Sequence, residues 1–268
     1  MIPELAASNN RYMESPYILA ETEDFAVVYK PPLMHCAALE KQDNAALTHW
    51  LGSLRPRIFS VNGKKTAEGG LMHRLDFHTR GLVLFAKNQK TYELLQKQQE
   101  QGCFVKEYRA LCCKARVSSP GFPPCPVTGA NSVIESYFRA FGPGRKEVRP
   151  VLDARISSRK IAADRGSYYR TEILTVNEVP AYIDTDSQGV VYSFGLRIKR
   201  GFRHQIRCHL AWAGYPIIND PLYGRQGNLP EAGNLALCSC GLEFTGPDGK
   251  TAEYRIACPE LELSADTG

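Results

Sequence analysis

The segment His73-Arg74-Leu75-Asp76-Phe77-His78-Thr79-Arg80-Gly81 sets one carboxylate among several bases at a turn. It runs directly into the apolar stretch Leu82 to Ala86. One carboxylate among bases at such a turn is a candidate for chemistry. The plainer reading makes Asp76 an ion-paired turn residue. Three familiar chemistries do not fit the pattern. A kinase loop would read His-Arg-Asp without the intervening Leu75, with Asp-Phe-Gly following and a Gly-rich strand-turn preceding. A glycoside hydrolase that uses water needs a second carboxylate in an equally marked setting, and none recurs. A serine hydrolase would carry a Gly-x-Ser-x-Gly elbow, which is missing.

Charge placement points to an anionic partner more clearly than the net charge of +5 does. Between Arg139 and Arg170 lie Arg139, Arg145, Lys146, Arg149, Arg155, Arg159, Lys160, Arg165 and Arg170, against Glu147, Asp153 and Asp164. This stretch reads as an arm that grips phosphates, or as a solvated charged loop. A second cluster, Arg197, Lys199, Arg200, Arg203 and Arg207, contains no acid and sits beside Phe194 and Phe202, which favours the phosphate reading. The nine cysteines are odd in number and irregularly spaced, so they read as reduced, mostly core thiols inside a cell. Cys112-Cys113 and Cys238-Ser-Cys240 lack the spacing of a zinc knuckle, and no metal is expected.

These residues must be positioned by a chain of 268 residues with 43% hydrophobic and 23% charged side chains, an ordinary globular composition. No window approaches 18 uninterrupted apolar residues, so no transmembrane helix is expected. The segment Met1 to Ser15 has neither a basic nor an apolar targeting region, which predicts a cytoplasmic protein. Strands are expected at Asp24 to Lys30, Gly81 to Lys87, Glu107 to Val117, Tyr169 to Val176, Tyr192 to Lys199, Ala236 to Phe244 and Ala252 to Ala257. Their alternation predicts a mostly antiparallel sheet with one covered face. Helices are expected at Ala45 to Leu54, capped by Asn44 and stopped by Pro56; at Lys90 to Gln101, closed by Gly102; and at His204 to Ala213, closed by Gly214 and Pro216. Ser118 to Gly129 and Phe141 to Gly144 read as surface loops. The result is one α+β domain over residues 16–262, with mobile segments at 1–15 and 263–268.

Five blocks, in order, resemble the RluA-type RNA pseudouridine synthases. Asp24 to Pro32 resembles the strand that ends in Lys-Pro, and His73 to Lys87 the HRLD-x-x-T-S-G-L-L-L-F-A-K block. Lys106-Glu107-Tyr108-Arg109-Ala110-Leu111 resembles the Lys-x-Tyr block, and Gly201 to Leu210 the G-R-T-H-Q-I-R-x-H-L block. Pro216 to Gly224 closes the series. Five ordered blocks are specific where any one is weak. Three positions depart from the pattern: Arg80 stands where Ser is usual, Phe202 where Arg or Lys is, and Arg203 where Thr is common, which bears on substrate contacts rather than on the chemistry. No basic module precedes residue 20, so the S4 domain appended to some relatives is not expected.

The resemblance implies a mixed, mostly antiparallel sheet split by a cleft, and an isomerase that turns uridine in ribosomal or transfer RNA into its C-glycoside isomer. The bond from N1 to C1′ breaks, the uracil turns, and C5 joins C1′, with no electron transferred and no cofactor required. Asp76 either attacks C1′ or takes the 2′ proton, and Arg207 is its ion partner. The plain alternative for Arg207 is a phosphate contact. Tyr108 stacks on the uracil and helps move the C5 proton, and it also reads as a half-buried sheet tyrosine with a satisfied hydroxyl; the two are compatible. Ile206 packs on the other side of the base, or is simply core. The target must leave its stack, and Arg74 would occupy the vacated space unless it forms a structural salt bridge. His73, Thr79, Arg80, Lys106 and Arg203 fall in the same blocks as substrate-binding residues, while His73, His204 and His209 also read as hydrogen-bonded structural histidines. Two rivals remain. One is an idle RNA-binding or ribosome-assembly factor on the same fold, and the other a base-removing glycosylase, which would release free uracil. Nothing in the sequence demands more than a monomer.

Overall fold

The computed structural model describes residues 15–38, 45–115, 122–123, 125, 129–152, 168–179, 190–224 and 233–261. Both terminal segments, Asn44, most of the Ser118 to Gly129 loop, and Arg155, Arg159, Lys160 and Arg165 of the basic stretch lie outside these residues. Among the described residues ten strands form one sheet. They are β1 (Tyr17–Glu21), β2 (Phe25–Lys30), β3 (Arg80–Ala86), β4 (Val105–Cys113) and β5 (Ser132–Phe141). The others are β6 (Glu147–Val151), β7 (Tyr169–Val179), β8 (Val191–Ile198), β9 (Leu237–Thr245) and β10 (Thr251–Arg255). The spatial order is β1-β2-β3-β9-β4-β8-β7-β5-β6, with β10 also on β9. Every pairing is antiparallel except β3 with β9. A mixed, mostly antiparallel α+β fold is therefore what the chain adopts.

The expected single covered face holds only for part of the sheet. Alternate residues of β4 are buried, and the open side carries Glu107 paired with Arg197 of β8 at 2.8 Å and with Arg255 of β10. By contrast β2 and β3 are buried along their whole length, because helices cover both sides. The three helices are α1 (Leu47–Leu54), α2 (Gln89–Gln101), which packs on β3 and β9, and α3 (Gln205–Trp212), which packs on β6 and β7. Val83 and Phe85 share one core cluster with Leu47 and Leu51 of α1 and Ile206 and Leu210 of α3. Leu82 and Leu84, one residue out of phase, join Tyr92 and Leu95 of α2 in the other. A continuous apolar strand is what two covered faces require.

The helix ends follow local chemistry, with one correction. Asn88 caps α2 by accepting from Thr91 N at 2.9 Å, and Gly102 ends it in the left-handed region at φ 72°. At α1 the helix begins at Leu47, after Ala46, with no side-chain cap. Its first amides donate instead to backbone carbonyls: Leu47 N to His35 O at 2.8 Å and Thr48 N to Cys36 O at 3.0 Å. Arg55 has already left the helical region, as a residue preceding proline tends to. Phe141 is also not in a loop; it ends β5.

The sheet is narrowest at its centre. β3 meets β9 over Arg80↔Cys238 and Gly81↔Ser239 alone, whereas β4 and β8 pair from Lys106 to Cys113. Gly81 allows the approach: its φ is +121°, and a Cβ there would lie 2.2 Å from Ser239 O. Beyond this seam β9 turns the same edge to β10.

Candidate active site

Asp76 lies in the turn that leads into β3, and the exit of β2 brackets that turn. Lys30 Nζ donates to Pro31 O at 2.7 Å, to Met34 O at 2.9 Å and to Phe77 O at 3.4 Å. The lysine is fully buried, and loss of water pulls its pKa down to about 8. Cys36 Sγ meets Leu75 at both its amide, 3.1 Å, and its carbonyl, 3.4 Å. Thr79 N closes the turn on Asp76 O at 3.1 Å. The backbone on each side of Asp76 is thus fixed by buried polar groups. The carboxylate itself remains open to solvent, with its side chain 22% exposed.

From across the seam α3 brings Arg207. Its Nη1 donates to Asp76 Oδ2 at 3.2 Å, while Nε and Nη2 form a two-pronged pair with Asp220 at 2.8 and 2.7 Å. Both partners of that pair are buried. Burial opposes the guanidinium charge, but Asp220 and then Asp76 more than offset it, so Arg207 stays charged with its pKa pushed up. Asp220 Oδ1 also accepts from Leu222 N and Tyr223 N, at 2.9 and 3.1 Å. Asp220 orients the base that faces Asp76. Sequence reasoning gave it no role, although it stands in the Pro216 to Gly224 block.

His204 completes the rim. Its backbone is left-handed at φ 57°, and its Nε2 lies 3.9 Å from Asp76 Oδ1. His204 Nδ1 lies 3.2 Å from the Tyr223 hydroxyl, which accepts from Val148 N at 2.7 Å and reaches Val148 O at 3.2 Å. Burial lowers the His204 pKa, with Asp76 opposing and Arg207 adding to the effect.

The remaining residues of the family blocks separate into distinct settings. Tyr108 is buried beneath the site and shares a hydrogen bond with the Ser239 hydroxyl; burial drives its pKa up, and the Asp76 charge adds to this. Ile206 belongs to the same core cluster as Tyr108. Arg74 is half-exposed and rests on Glu68 at 3.3 Å. Thr79 and Arg80 are buried at the seam, and Thr79 Oγ1 has no partner among the described residues. His73 Nε2 accepts from Leu84 N at 3.2 Å, and its pKa lies well below the ordinary value through burial and the nearby Lys106. Lys106 is buried 4.7 Å from the centre of the Phe104 ring, and loss of water pulls its pKa to about 8. These two pack away from Asp76. Arg203 Nη2 donates to Arg145 O at 2.5 Å and Glu147 O at 3.2 Å. Phe202 stacks on Phe138 at 5.1 Å, which accounts for an aromatic where relatives carry a base. His209 is the buried structural histidine expected of it, held by Ser136 and Thr171 at 2.9 and 2.8 Å. All nine cysteines are free thiols, and no helix among the described residues is long and apolar enough to cross a membrane.

This fold, with a carboxylate facing a buried arginine at the seam of a mixed sheet, meets a family model. Residues 24–212 match that of the RNA pseudouridylate synthases, and the chain belongs to that family. It is similar to an RNA pseudouridine synthase of Helicobacter pylori, 26% identical over 91% of this chain and 66% of that one. It is also similar to ribosomal large subunit pseudouridine synthase D of Pseudomonas aeruginosa, 27% identical over 85% of this chain and 59% of that one. The chain thus spans about two thirds or less of the length of these two relatives. Among solved structures, human RNA pseudouridylate synthase domain containing 1 shares the fold, with a TM-score of 0.64 and 19% identity over 94% of this chain and 87% of that one.

Proposed function

We propose that this chain converts specific uridines of structured ribosomal or transfer RNA to pseudouridine, with Asp76 as the single reacting carboxylate and no cofactor. The observation that carries this reading is the solvent-open Asp76 carboxylate held at 3.2 Å on Arg207, which is itself locked by Asp220. Breaking the bond from N1 to C1′ develops positive charge on the sugar, and an anion already in place needs no reorganisation to meet it. Asp76 either adds to C1′ or takes the 2′ proton, and the guanidinium holds it still in both cases. Water is not a reactant, so one carboxylate suffices.

The other residues take supporting roles. Lys30 and Cys36 fix the turn, and Asp220 aims Arg207. Tyr108 lies under the site with its phenol proton retained by burial, suited to pack against the uracil. The target nucleotide leaves its stack, and Arg74, released from Glu68, fills the gap. The residues 16–262 act as one catalytic domain, as a monomer in the cytoplasm.

Tritium release from 5-³H-uridine in ribosomal and transfer RNA tests this directly. The wild type should release label without free uracil, and Asp76→Asn should release none while still binding RNA. Normal release by a folded Asp76→Asn protein would sink the assignment, and free uracil would make the enzyme a glycosylase.

A further inference from the structure

β5 and β6 form a hairpin whose two faces differ. Phe138 and Val148 point inward, into a cluster with Cys208 and Ala211 of α3. Arg139 and Phe141 of β5 share the opposite face with Glu147 and Arg149 of β6. There Arg139 stands directly opposite Arg149, an arrangement that destabilises a strand pair. Neither guanidinium has a carboxylate partner among the described residues, and Glu147, on the same face, pairs with neither. Arg149 instead lies 3.3 Å from the centre of Phe141 and 5.7 Å from that of Phe122, and Arg139 lies 5.9 Å from the centre of Phe141. At the tip Arg145 and Lys146 are exposed.

The hairpin is also tied to the active site. Arg203 grips the tip through the carbonyls of Arg145 and Glu147, and its neighbour His204 faces Asp76. The Tyr223 hydroxyl joins Val148 of the hairpin to His204. A ligand on the outer face is therefore held in register with the reacting carboxylate.

We propose that this outer face is a docking platform for an unpaired stretch of RNA beside the target uridine, with a base stacking at Phe141 and its flanking phosphates taken by Arg139 and Arg149. The inference rests on the reading of the chain as an RNA-modifying enzyme. Phe141 offers its ring to a splayed base once Arg149 turns from it to a phosphate, and single strands supply such a base where a stacked duplex does not. Like charges with no carboxylate partner among the described residues are relieved once phosphates arrive.

Fluorescence anisotropy with a 5′-labelled twelve-nucleotide oligouridylate, between 50 and 300 mM KCl, provides the test, with a blunt RNA duplex of the same length alongside. The double variant Arg139→Gln/Arg149→Gln should bind the oligouridylate more weakly and flatten the log-log salt slope by about 1.4, the value for two single-strand phosphates. Phe141→Ala should weaken binding roughly tenfold with the slope unchanged. Duplex binding should be the same for all three proteins. Because the paired arginines repel, the double variant should melt at or above the wild-type temperature. Wild-type oligouridylate binding by the double variant, an equal loss on the duplex, or a lowered melting temperature would overturn the platform. Its failure is separable from that of the proposed reaction. A wild type that binds through this face yet releases no tritium loses the reaction alone, whereas tritium release with an unaffected double variant loses the platform alone.

Discussion

Arg207 is a fully buried cation that faces two carboxylates, and its geometry makes Asp220 the residue to change. Removing one partner of a buried pair leaves the other charge uncompensated, at a cost of about 3–5 kcal/mol. Asp220→Asn should therefore lower stability on that scale in urea melts. Freed from its two-pronged hold, the guanidinium should also lose its aim at Asp76, so kcat should fall at least about tenfold with KM little changed. A stable variant with normal kcat would mean that Asp220 does not position Arg207. At this scale the Asp76–Arg207 contact, 3.2 Å in the structure, was expected from the resemblance of two blocks to the family's rather than from composition or spacing. Asp220 and Lys30 stand in such blocks too. Their roles emerge only from the fold: Lys30 reaches the Phe77 carbonyl across the turn, and Asp220 holds a guanidinium that also meets Asp76, 131 residues from that arginine in the chain. The setting of His73 and Lys106 was equally hidden, since burial beside Phe104 depends on how β3 and β4 pack.

Among elements, seven of the ten strands and all three helices follow from periodicity and cap residues. β1, β5 and β6 do not. β1 is a short edge strand with exposed Tyr17 and Leu19. β6 contains Pro150, which an edge strand tolerates because one side of its backbone has no neighbour. The charged residues of β5 and β6 alternate with core residues, and the density of bases obscured the period. The seam between β3 and β9 has its own test. Gly81→Ala places a methyl group against Ser239 O and forces an unfavourable φ. A loss of about 2 kcal/mol or more is expected from the clash and the φ together. Gly102→Ala is strained only through its φ, with its nearest atom at 3.9 Å. It should lose about 1 kcal/mol. Urea midpoints measured side by side should rank them in that order; equal losses would mean that the seam yields without cost.

For the molecule as a whole, acid sensitivity follows from buried histidines, among them His73 and His209. Burial holds His209 at a pKa of about 3 against an ordinary 6.5. Below 6.5 the unfolded chain takes up a proton that the folded chain refuses. The stability contributed is complete above that pH and is lost as pH falls towards 3, by about 1.4 kcal/mol per pH unit. Glu21, held at about 2 first by Arg55 and then by Lys87, adds a loss that begins only below about 4.5. Chemical melts at pH 4.5 to 6.5 should show this slope in the wild type and a slope shallower by one proton in His209→Gln. Parallel slopes would show that the ring is protonated in the folded state.

The order of the sheet also sets an order of assembly during synthesis. β1 to β3 carry the Asp76 turn, and β4 to β8 with α3 carry Tyr108 and Arg207, yet β9, the strand that lies between β3 and β4, begins only at Leu237. On a ribosome both halves emerge first and wait for it. A nascent chain halted before Leu237 already holds every side chain assigned here to the reaction but lacks the strand that brings them face to face, so activity should arise only late in translation.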